Sequence, residues 1–216
     1  KNAALYYSVN CDLAAETAEK AKADGVRQFV FLSSMSVYGK ETGRITTDTV
    51  PCPKSHYGKS KLLAEEKLAA LADDDFTITV LRPPMVYGKG CKGNFNTLKS
   101  LALKLPFFPD VKNERSMIYI DNLSAFVKMV IDRCAGGVFF PQNRTYCSTV
   151  AMAEMIADSA GKKFRKSRLL GAGVRFLRCF LPVAQKGFGS LVYEGTETAD
   201  FEYCVCEFPD SIRNSM

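Results

Sequence analysis

The 216-residue sequence lacks the residues that several common kinds of catalytic site require. It contains a single histidine, His56, and its cysteines are scattered with no Cys-x-x-Cys pair, so we expect no metal site. Nothing near His56 suggests a Ser-His-Asp triad. No apolar run approaches the roughly 18 residues that a membrane span needs, so no span is expected.

The composition is that of an ordinary globular protein, with 47% hydrophobic and 24% charged residues. A chain of this length can bury a full core and forms one large or two small domains. The formal charge of +6 is mild and spread over many lysines, and it suits an anionic small ligand as well as nucleic acid, so the charge does not decide between them. We expect no nucleic-acid partner. Scattered cysteines in such a chain favour reduced thiols, and they predict a cytoplasmic location.

The feature with the clearest chemistry is a tyrosine four residues before a lysine, Tyr57 and Lys61. Residues at this spacing lie on one face of a helix. The lysine charge favours the phenolate, so we expect the pKa of Tyr57 to fall from about 10 towards the range of an acid–base catalyst. Chance alone supplies about one such pair in this composition, so the surrounding motifs must support the interpretation.

Two compact apolar runs, residues 28–32 and 77–81, are predicted to be buried strands. Each ends in a polar or Pro-containing loop, at 33–39 and 82–88. Helices are predicted before and between them, and this order favours a parallel sheet with crossover helices. Hydroxyl side chains at the carboxyl end of such a strand lie where open α/β sheets bind ligands.

The helix before the first strand is predicted over residues 1–24, with Gly25 as its stop. The positions that recur at helical spacing are Leu5, Val9, Leu13, Ala14, Thr17, Ala18 and Ala21. The helix that carries Tyr57 is predicted to bury Leu62, Leu63, Leu68 and Leu71. After residues 93–95 a helix is predicted to run to about Lys104. The other predicted elements are helices over 123–133 (capped by Asp121 and Asn122) and 150–161 (capped by Ser148 or Thr149), strands over 115–120 and 138–141, and loops over 40–54 and 105–109.

Two stretches near the end of the chain allow more than one interpretation. The apolar run Leu169–Val183, with Arg175 and Arg178 interleaved, fits either a membrane-surface helix or a helix packed on the body of the protein, and we expect the second. The basic run Lys162–Arg168 fits either a nucleic-acid site or a solvated turn, and again we expect the second.

Several motifs, in the order in which the family has them, resemble the extended short-chain dehydrogenase/reductase family. The resemblance is strongest to its nucleotide-sugar epimerase/dehydratase branch, the UDP-glucose 4-epimerase-like proteins. The motifs are residues 31–39, 57–61, 81–88, 93–95 and 115–123. The resemblance implies a partial Rossmann-like doubly wound parallel sheet, its C-terminal half, with a small mixed α/β substrate-binding region. By this resemblance residues 1–90 form the Rossmann-like half and 91–216 mainly bind substrate, with 115–145 returning to the Rossmann-like body.

The same resemblance implies catalytic roles. Tyr57 would be the acid/base that takes a proton from a sugar hydroxyl while hydride leaves for the nicotinamide of NAD or NADP. Lys61 would bind the nicotinamide ribose, and Ser34 would hydrogen-bond the same sugar oxygen. Pro83 and Pro84 would line the nicotinamide pocket.

The resemblance also implies a nucleotide-diphosphate sugar as substrate. Ser36 would line the sugar site, Asn94 would contact the diphosphate, and Arg115 would hold it, since a guanidinium fork suits paired phosphate oxygens. The alternative for Arg115 is a surface ion pair with a neighbour such as Glu114.

The sequence departs from the family at its start, where no G-x-G-x-x-G or similar glycine-rich run precedes residue 25. Such a run, with its strand and helix, would hold the dinucleotide pyrophosphate. Its absence leaves the edge of the 28–32 strand without a partner, which is a pairing hazard. We therefore expect either that the chain is a fragment of a longer product or that another chain, as in a homodimer, covers this edge.

Two functions follow from these expectations. The first is an NAD(P)-dependent epimerase, dehydratase or 4-reductase of UDP-sugars. The second is a non-catalytic fragment that retains a UDP-sugar-binding surface and cannot hold the dinucleotide alone.

Overall fold

The computed structural model describes residues 3–91, 94–177, 180–196 and 202–216. Its main sheet has three parallel strands in the order β1 (Gln28–Leu32), β3 (Thr77–Leu81) and β7 (Gly137–Phe139). The strands predicted over 28–32 and 77–81 are confirmed at their bounds, and so is their parallel pairing. Together with the surrounding helices, this sheet confirms the predicted partial Rossmann-like α/β fold.

Shorter strands form three further parallel pairs, β2–β9, β4–β6 and β5–β8. Their bounds are β2 Gly43–Ile45, β4 Met85–Tyr87, β5 Phe108–Pro109, β6 Met117–Tyr119, β8 Lys166–Ser167 and β9 Leu191–Tyr193. The prediction that 40–54, 82–88 and 105–109 are only loops is therefore wrong. Strands of two or three residues are too short to show the alternation by which a strand is recognised.

The described helices surround these sheets, and none of them is long and apolar enough to cross a membrane. Their bounds are α1 Ala3–Tyr7, α2 Leu13–Ala23, α3 His56–Ala69, α4 Asn94–Lys104, α5 Ile120–Asp132, α6 Thr149–Ser159, α7 Arg168–Leu177, α8 Pro182–Phe188 and α9 Phe208–Asn214.

The helix predicted over 1–24 contains a π-helical turn, Ser8–Asp12, between α1 and α2. The predicted apolar face is confirmed at its small residues and wrong at its large ones. Ala18 is buried in a cluster with α3, β1 and β3, and Ala14 and Ala21 pack against that cluster. By contrast, Leu5, Val9 and Leu13 are 59%, 49% and 54% exposed. The helix thus presents its larger apolar side chains to solvent.

One edge of β1 pairs with β3, and no described strand pairs with its other edge. Leu32, at the end of β1, is 47% exposed. The open edge expected from the sequence is therefore present in this part of the chain. That a further part of a longer product or a second chain covers this edge stays a prediction.

A buried ion pair joins α3 to the end of β3. The Arg82 guanidinium donates to both carboxylate oxygens of Glu65 and, at 2.7 Å, to the hydroxyl of Tyr38, while Ser33 donates to the same carboxylate. Burial of Glu65 was not predicted, and Leu63, predicted to be buried, is 39% exposed. The pairing across 17 residues fixes which side of α3 faces the sheet.

A second core lies between β4, β6, α4, α6 and α9. At its centre the Tyr87 hydroxyl lies 2.6 Å from Ser211 Oγ and accepts from Asn143 Nδ2 at 2.9 Å. Burial raises the pKa of Tyr87 to about 12, so this phenol stays neutral.

The start of α5 differs from the prediction. The helix begins at Ile120 with Tyr119 before it, so Asp121 and Asn122 are not its caps. Asn122 is buried and donates to Cys206 O at 3.0 Å, because a side chain inside the first turn can reach the chain that crosses beside it. The cap predicted for α6 is confirmed at Ser148, whose hydroxyl accepts from Ala151 N at 2.9 Å.

The basic run Lys162–Arg168 is only partly solvated. Lys162 donates to carbonyls at the carboxyl end of α4, including Leu103 O and Leu105 O, where a helix favours positive charge. Lys166 pairs with Glu154 at 2.7 Å. The run therefore includes two lysines that hold the fold.

The stretch 169–183 was expected to be a helix packed on the body. It instead forms α7 and the start of α8, and its large apolar side chains are exposed, with Leu169 at 84% and Phe176 at 68%. Residues 178 and 179 lie outside the described residues. The expectation that this apolar face is buried is wrong.

Candidate functional site

The turn after β1 forms one wall of a cavity of about 450 Å³. Ser34 caps a short 3₁₀ helix, Met35–Tyr38; its hydroxyl accepts from Ser36 N at 3.1 Å and donates to Ser36 Oγ at 3.2 Å. Ser34 and Ser36 both line the cavity, so two hydroxyls face the same space, as the sequence predicted for a ligand site.

The first turn of α3 lies directly against this serine turn. A Cβ atom at Gly58 would lie 2.5 Å from Ser36 O, so glycine permits the close approach. Ser55 caps the helix by accepting from Gly58 N at 3.1 Å. These contacts place Tyr57 at the same sheet end as Ser34.

Tyr57 is brought to Ser34, but its pKa differs from the expected one. Burial raises the pKa of Tyr57, and the hydrogen bond with the Ser34 side chain opposes that rise. Tyr6 packs edge-on against the phenol ring, with centroids 5.8 Å apart. The predicted lowering by the lysine charge is wrong, because desolvation dominates. The phenol is therefore protonated at neutral pH and can donate a hydrogen bond.

Lys61 lies on the predicted face of the helix but has other partners. Its ammonium donates to Leu32 O at 2.8 Å and lies 4.5 Å from the centroid of the Phe31 ring. Burial lowers the pKa of Lys61, and the charge of Glu65 opposes that shift. The lysine thus crosses the end of β1, beside the open sheet edge.

The two prolines after β3 are both buried. Pro83 O accepts from Met35 N at 3.0 Å, which fixes the serine turn against the proline loop. Pro84 lines the cavity with Ser34. The loop therefore forms the wall opposite α3, and the predicted contact of these prolines with nicotinamide stays a prediction.

Arg115 lies where the 450 Å³ cavity meets a second cavity of about 250 Å³. Its guanidinium donates to Gly189 O at 3.0 Å, and burial lowers its pKa, while the charge of Glu41 opposes that shift. The structure thus shows a half-buried guanidinium facing two cavities, and not the exposed ion pair with Glu114 that was the alternative.

The second cavity is mainly apolar, with α4 as one wall. Its lining includes Met85, Leu98, Leu101, Met117 and Phe188. Asn94, predicted to contact the diphosphate, begins α4, but its side chain and residues 92 and 93 lie outside what the structure describes.

Sequence reasoning missed two residues at this site. Lys186 lines both cavities beside Arg115, and it is exposed. Asn10, in the π-helical turn, donates to Ser60 Oγ at 3.1 Å, and Ser60 donates to Tyr57 O at 2.9 Å. No local pattern marks either residue, since both depend on contacts between distant segments; the π-helical turn is visible only in the structure.

The family model described as "NAD dependent epimerase/dehydratase family" matches residues 1–140 of the chain. The chain therefore belongs to this family, as the motifs of the sequence predicted.

Two curated relatives are similar over most of the chain. UDP-glucose 4-epimerase of Vibrio cholerae is 35% identical over 167 residues, which are 73% of this chain and 51% of the relative. N-acetyl-alpha-D-glucosaminyl-diphospho-ditrans,octacis-undecaprenol 4-epimerase of Escherichia coli O157:H7 is 33% identical over 138 residues, which are 62% of this chain and 42% of the relative. The chain thus spans about half the length of these relatives or less.

Solved structures confirm the fold. UDP-glucuronic acid 4-epimerase from Bacillus cereus, in complex with NAD, has a TM-score of 0.74 at 20% identity, over 97% of this chain and 65% of that one. A dTDP-4-dehydrorhamnose reductase from Clostridium acetobutylicum also has a TM-score of 0.74, at 21% identity, over 99% of this chain and 73% of that one.

The residues at the end of β1 fit the nicotinamide end of a dinucleotide. An ammonium has three protons, and Lys61 donates one of them to Leu32 O, so it retains donors for ribose hydroxyls. Pro84 supplies an apolar wall nearby, and Tyr57 supplies a hydroxyl. The donor set therefore agrees with the family's dependence on NAD.

Proposed function

We propose that the chain forms the sugar-binding and proton-transfer part of an NAD(P)-dependent epimerase, dehydratase or 4-reductase that acts on UDP-sugars. The observation that carries the proposal is one cavity lined by both hydroxyls and cations. Ser34 and Ser36, next to Tyr57, line it together with Arg115 and Lys186. Its other charged lining residues are Lys40, Glu41 and Lys54. A sugar joined to a diphosphate offers hydroxyls and negative charge to match these groups.

Each group of residues has a defined role in this proposal. Ser34 and Tyr57 hold one sugar oxygen, and Tyr57 moves its proton. The protonated phenol can donate that proton to a carbonyl oxygen when hydride adds to the carbonyl carbon. The nicotinamide, when bound, supplies or accepts hydride. Lys61 binds the cofactor ribose, Pro83 and Pro84 border the nicotinamide, and Arg115 and Asn94 bind the diphosphate.

We further propose the division of the chain into residues 1–90, which belong to the dinucleotide-binding body, and 91–216, which mainly bind substrate. Two features support the return of 115–145 to the body. β7 pairs with β3, and Phe126 of α5 packs with Leu81 of β3 in one cluster.

Removing the Tyr57 hydroxyl tests the catalytic assignment. In the native gene product, Tyr57→Phe should lower turnover of a UDP-sugar by about 10²–10⁴-fold, because the proton-transfer group is lost. Its affinity for UDP, measured by calorimetry, should stay within about 3-fold of the parent value, because the proposal places Tyr57 at the sugar and UDP has no sugar beyond its diphosphate. The matched control is Tyr7→Phe, which removes a hydroxyl 3.3 Å from His56 and should leave turnover unchanged.

Calorimetry of the 216-residue chain separates the two candidate functions. Binding of both UDP and NADH supports the enzyme. Binding of UDP without NADH supports a substrate-binding piece that depends on further residues for its cofactor.

Normal turnover of Tyr57→Phe would show that the assignment of Tyr57 is wrong.

A further inference from the structure

Helix α7 packs on the protein by its smallest side. Gly171 is its only buried residue among those described, and a Cβ atom there would lie 2.2 Å from Asp110 O. The pairing of β5 with β8 holds the start of the helix beside that carbonyl. Glycine thus lets the helix backbone lie directly on the body.

The large apolar side chains of this segment point the other way. Leu169, Phe176 and Phe180 are 84%, 68% and 68% exposed, and the rings of Phe176 and Phe180 lie 5.3 Å apart. Leu169 and Phe176 are seven residues apart in α7, so they lie on one helix face, and the ring contact places Phe180 beside Phe176. A surface helix of a globular protein normally turns this face to the core, so here the face is available to an external apolar phase.

The charge along this segment of the sequence has one sign. Between Asp158 and Glu194 the sequence contains eight lysines and arginines and no acidic residue, and one of the eight, Lys166, pairs with Glu154 of α6. Lys163, Arg165 and Arg168 are exposed at the start of the helix. Arg165 also lies 6.0 Å from the ring of Phe107, which is 46% exposed and extends the apolar surface.

We propose that this surface, the α7 stripe (Leu169, Phe176 and Phe180 with Lys163, Arg165 and Arg168), binds the face of an anionic phospholipid bilayer. Apolar side chains on one face of a helix with basic residues beside them suit an orientation in the membrane plane, with the side chains at the headgroup level. Helix α8 contacts α7 and carries Lys186 and Phe188. The bilayer would therefore lie near the two cavities. The proposal stands on this surface alone and does not depend on the proposed reaction.

A tryptophan probe tests insertion directly, because the chain contains no tryptophan. The fluorescence of Phe176→Trp should shift to shorter wavelength when vesicles of phosphatidylcholine with about 30% phosphatidylglycerol are added. Pure phosphatidylcholine should give a much smaller shift. The control is Val50→Trp, at a site 79% exposed and away from this surface, which should not respond.

Co-sedimentation with the same vesicles tests the energetics. Phe176→Ser with Phe180→Ser should weaken binding at least about 10-fold, since two aromatic rings would no longer be buried at the bilayer surface. The paired control is Val50→Ser with Val205→Ser, whose parent side chains are 79% and 67% exposed, and it should bind like the parent chain. Circular dichroism verifies that each variant is folded.

Three results would overturn the proposal. One is parent-like binding by the Phe176→Ser, Phe180→Ser variant. Another is equal binding to neutral and anionic vesicles. The third is a dimer in sedimentation velocity that the same variant dissolves, with no binding to vesicles, which would assign the surface to a second copy of the chain.

Discussion

Two half-buried arginines differ in what their guanidinium groups contact. Arg82 donates to Glu65 and Tyr38 within the fold, and hydrogen bonds with those groups help to raise its pKa. Arg115 donates to one carbonyl, that of Gly189, and burial lowers its pKa. The first arginine is neutralised by the protein, whereas the second keeps donors that face two cavities. Glu41 lines the same cavity, but no ion pair with Arg115 is found among the described residues. A half-buried cation without an ion pair is the one expected to bind an anionic ligand.

The largest effect is expected at the arginine that holds the fold. Arg82→Met should lower the free energy of unfolding by about 3–5 kcal/mol, because it leaves the Glu65 carboxylate buried without its partner. Urea denaturation measures this change. Adding Glu65→Leu should recover most of the loss, since the uncompensated charge is then removed. A double variant as unstable as the single one would contradict the structural role.

Replacement of Arg115 should affect ligand binding strongly and stability little, whereas replacement of Arg82 affects mainly stability. Arg115→Met should raise the dissociation constant for UDP about 10–150-fold, as expected for lost hydrogen bonds to a charged ligand worth about 1.5–3 kcal/mol. Its free energy of unfolding should change by no more than about 1 kcal/mol. The control is Arg144→Met, which removes an exposed partner of Glu207 and should leave UDP binding unaltered. Unchanged affinity in Arg115→Met would end the assignment to the diphosphate.

The smallest effect is expected at an exposed arginine. Arg44 pairs with Glu194 while its side chain is 57% exposed. Arg44→Met should therefore cost only about 0.2–1 kcal/mol of unfolding free energy in urea denaturation at low salt. The difference should vanish at 1 M salt, where the screening length is about 3 Å. A loss as large as that of Arg82→Met would mean that exposure does not separate these arginines.

The sequence was sufficient to predict the elements that depend on local pattern. The 28–32 and 77–81 strands are runs of β-branched and aromatic residues between turn residues, and the i, i+4 spacing placed Tyr57 and Lys61 on one helix face. The resemblance to a family added Ser34, Ser36, Pro84 and Arg115, and the structure brings these together around one cavity.

What could not be predicted depends on segments that are distant in sequence. The pKa of Tyr57 is set mainly by burial among other segments, including the ring of Tyr6, and these outweigh its neighbour four residues away. Lys186 lies in α8, and it lines the cavities because the chain before β9 passes beside them, which no local pattern indicates. Periodicity showed that the first helix has apolar positions, but not that the sheet would take the small ones and leave Leu5 exposed.

Lys162, in the basic run, supports a helix that lines the candidate site, although Lys162 is not itself a lining residue. Its ammonium holds the carboxyl end of α4, and Leu98 and Leu101 of that helix line the apolar cavity. Acetylation of a lysine removes its charge, so at Lys162 it would weaken the support of these carbonyls. Such a modification, at a residue that does not line the cavity, would act on the helix that forms its wall and leave the lining side chains chemically unaltered.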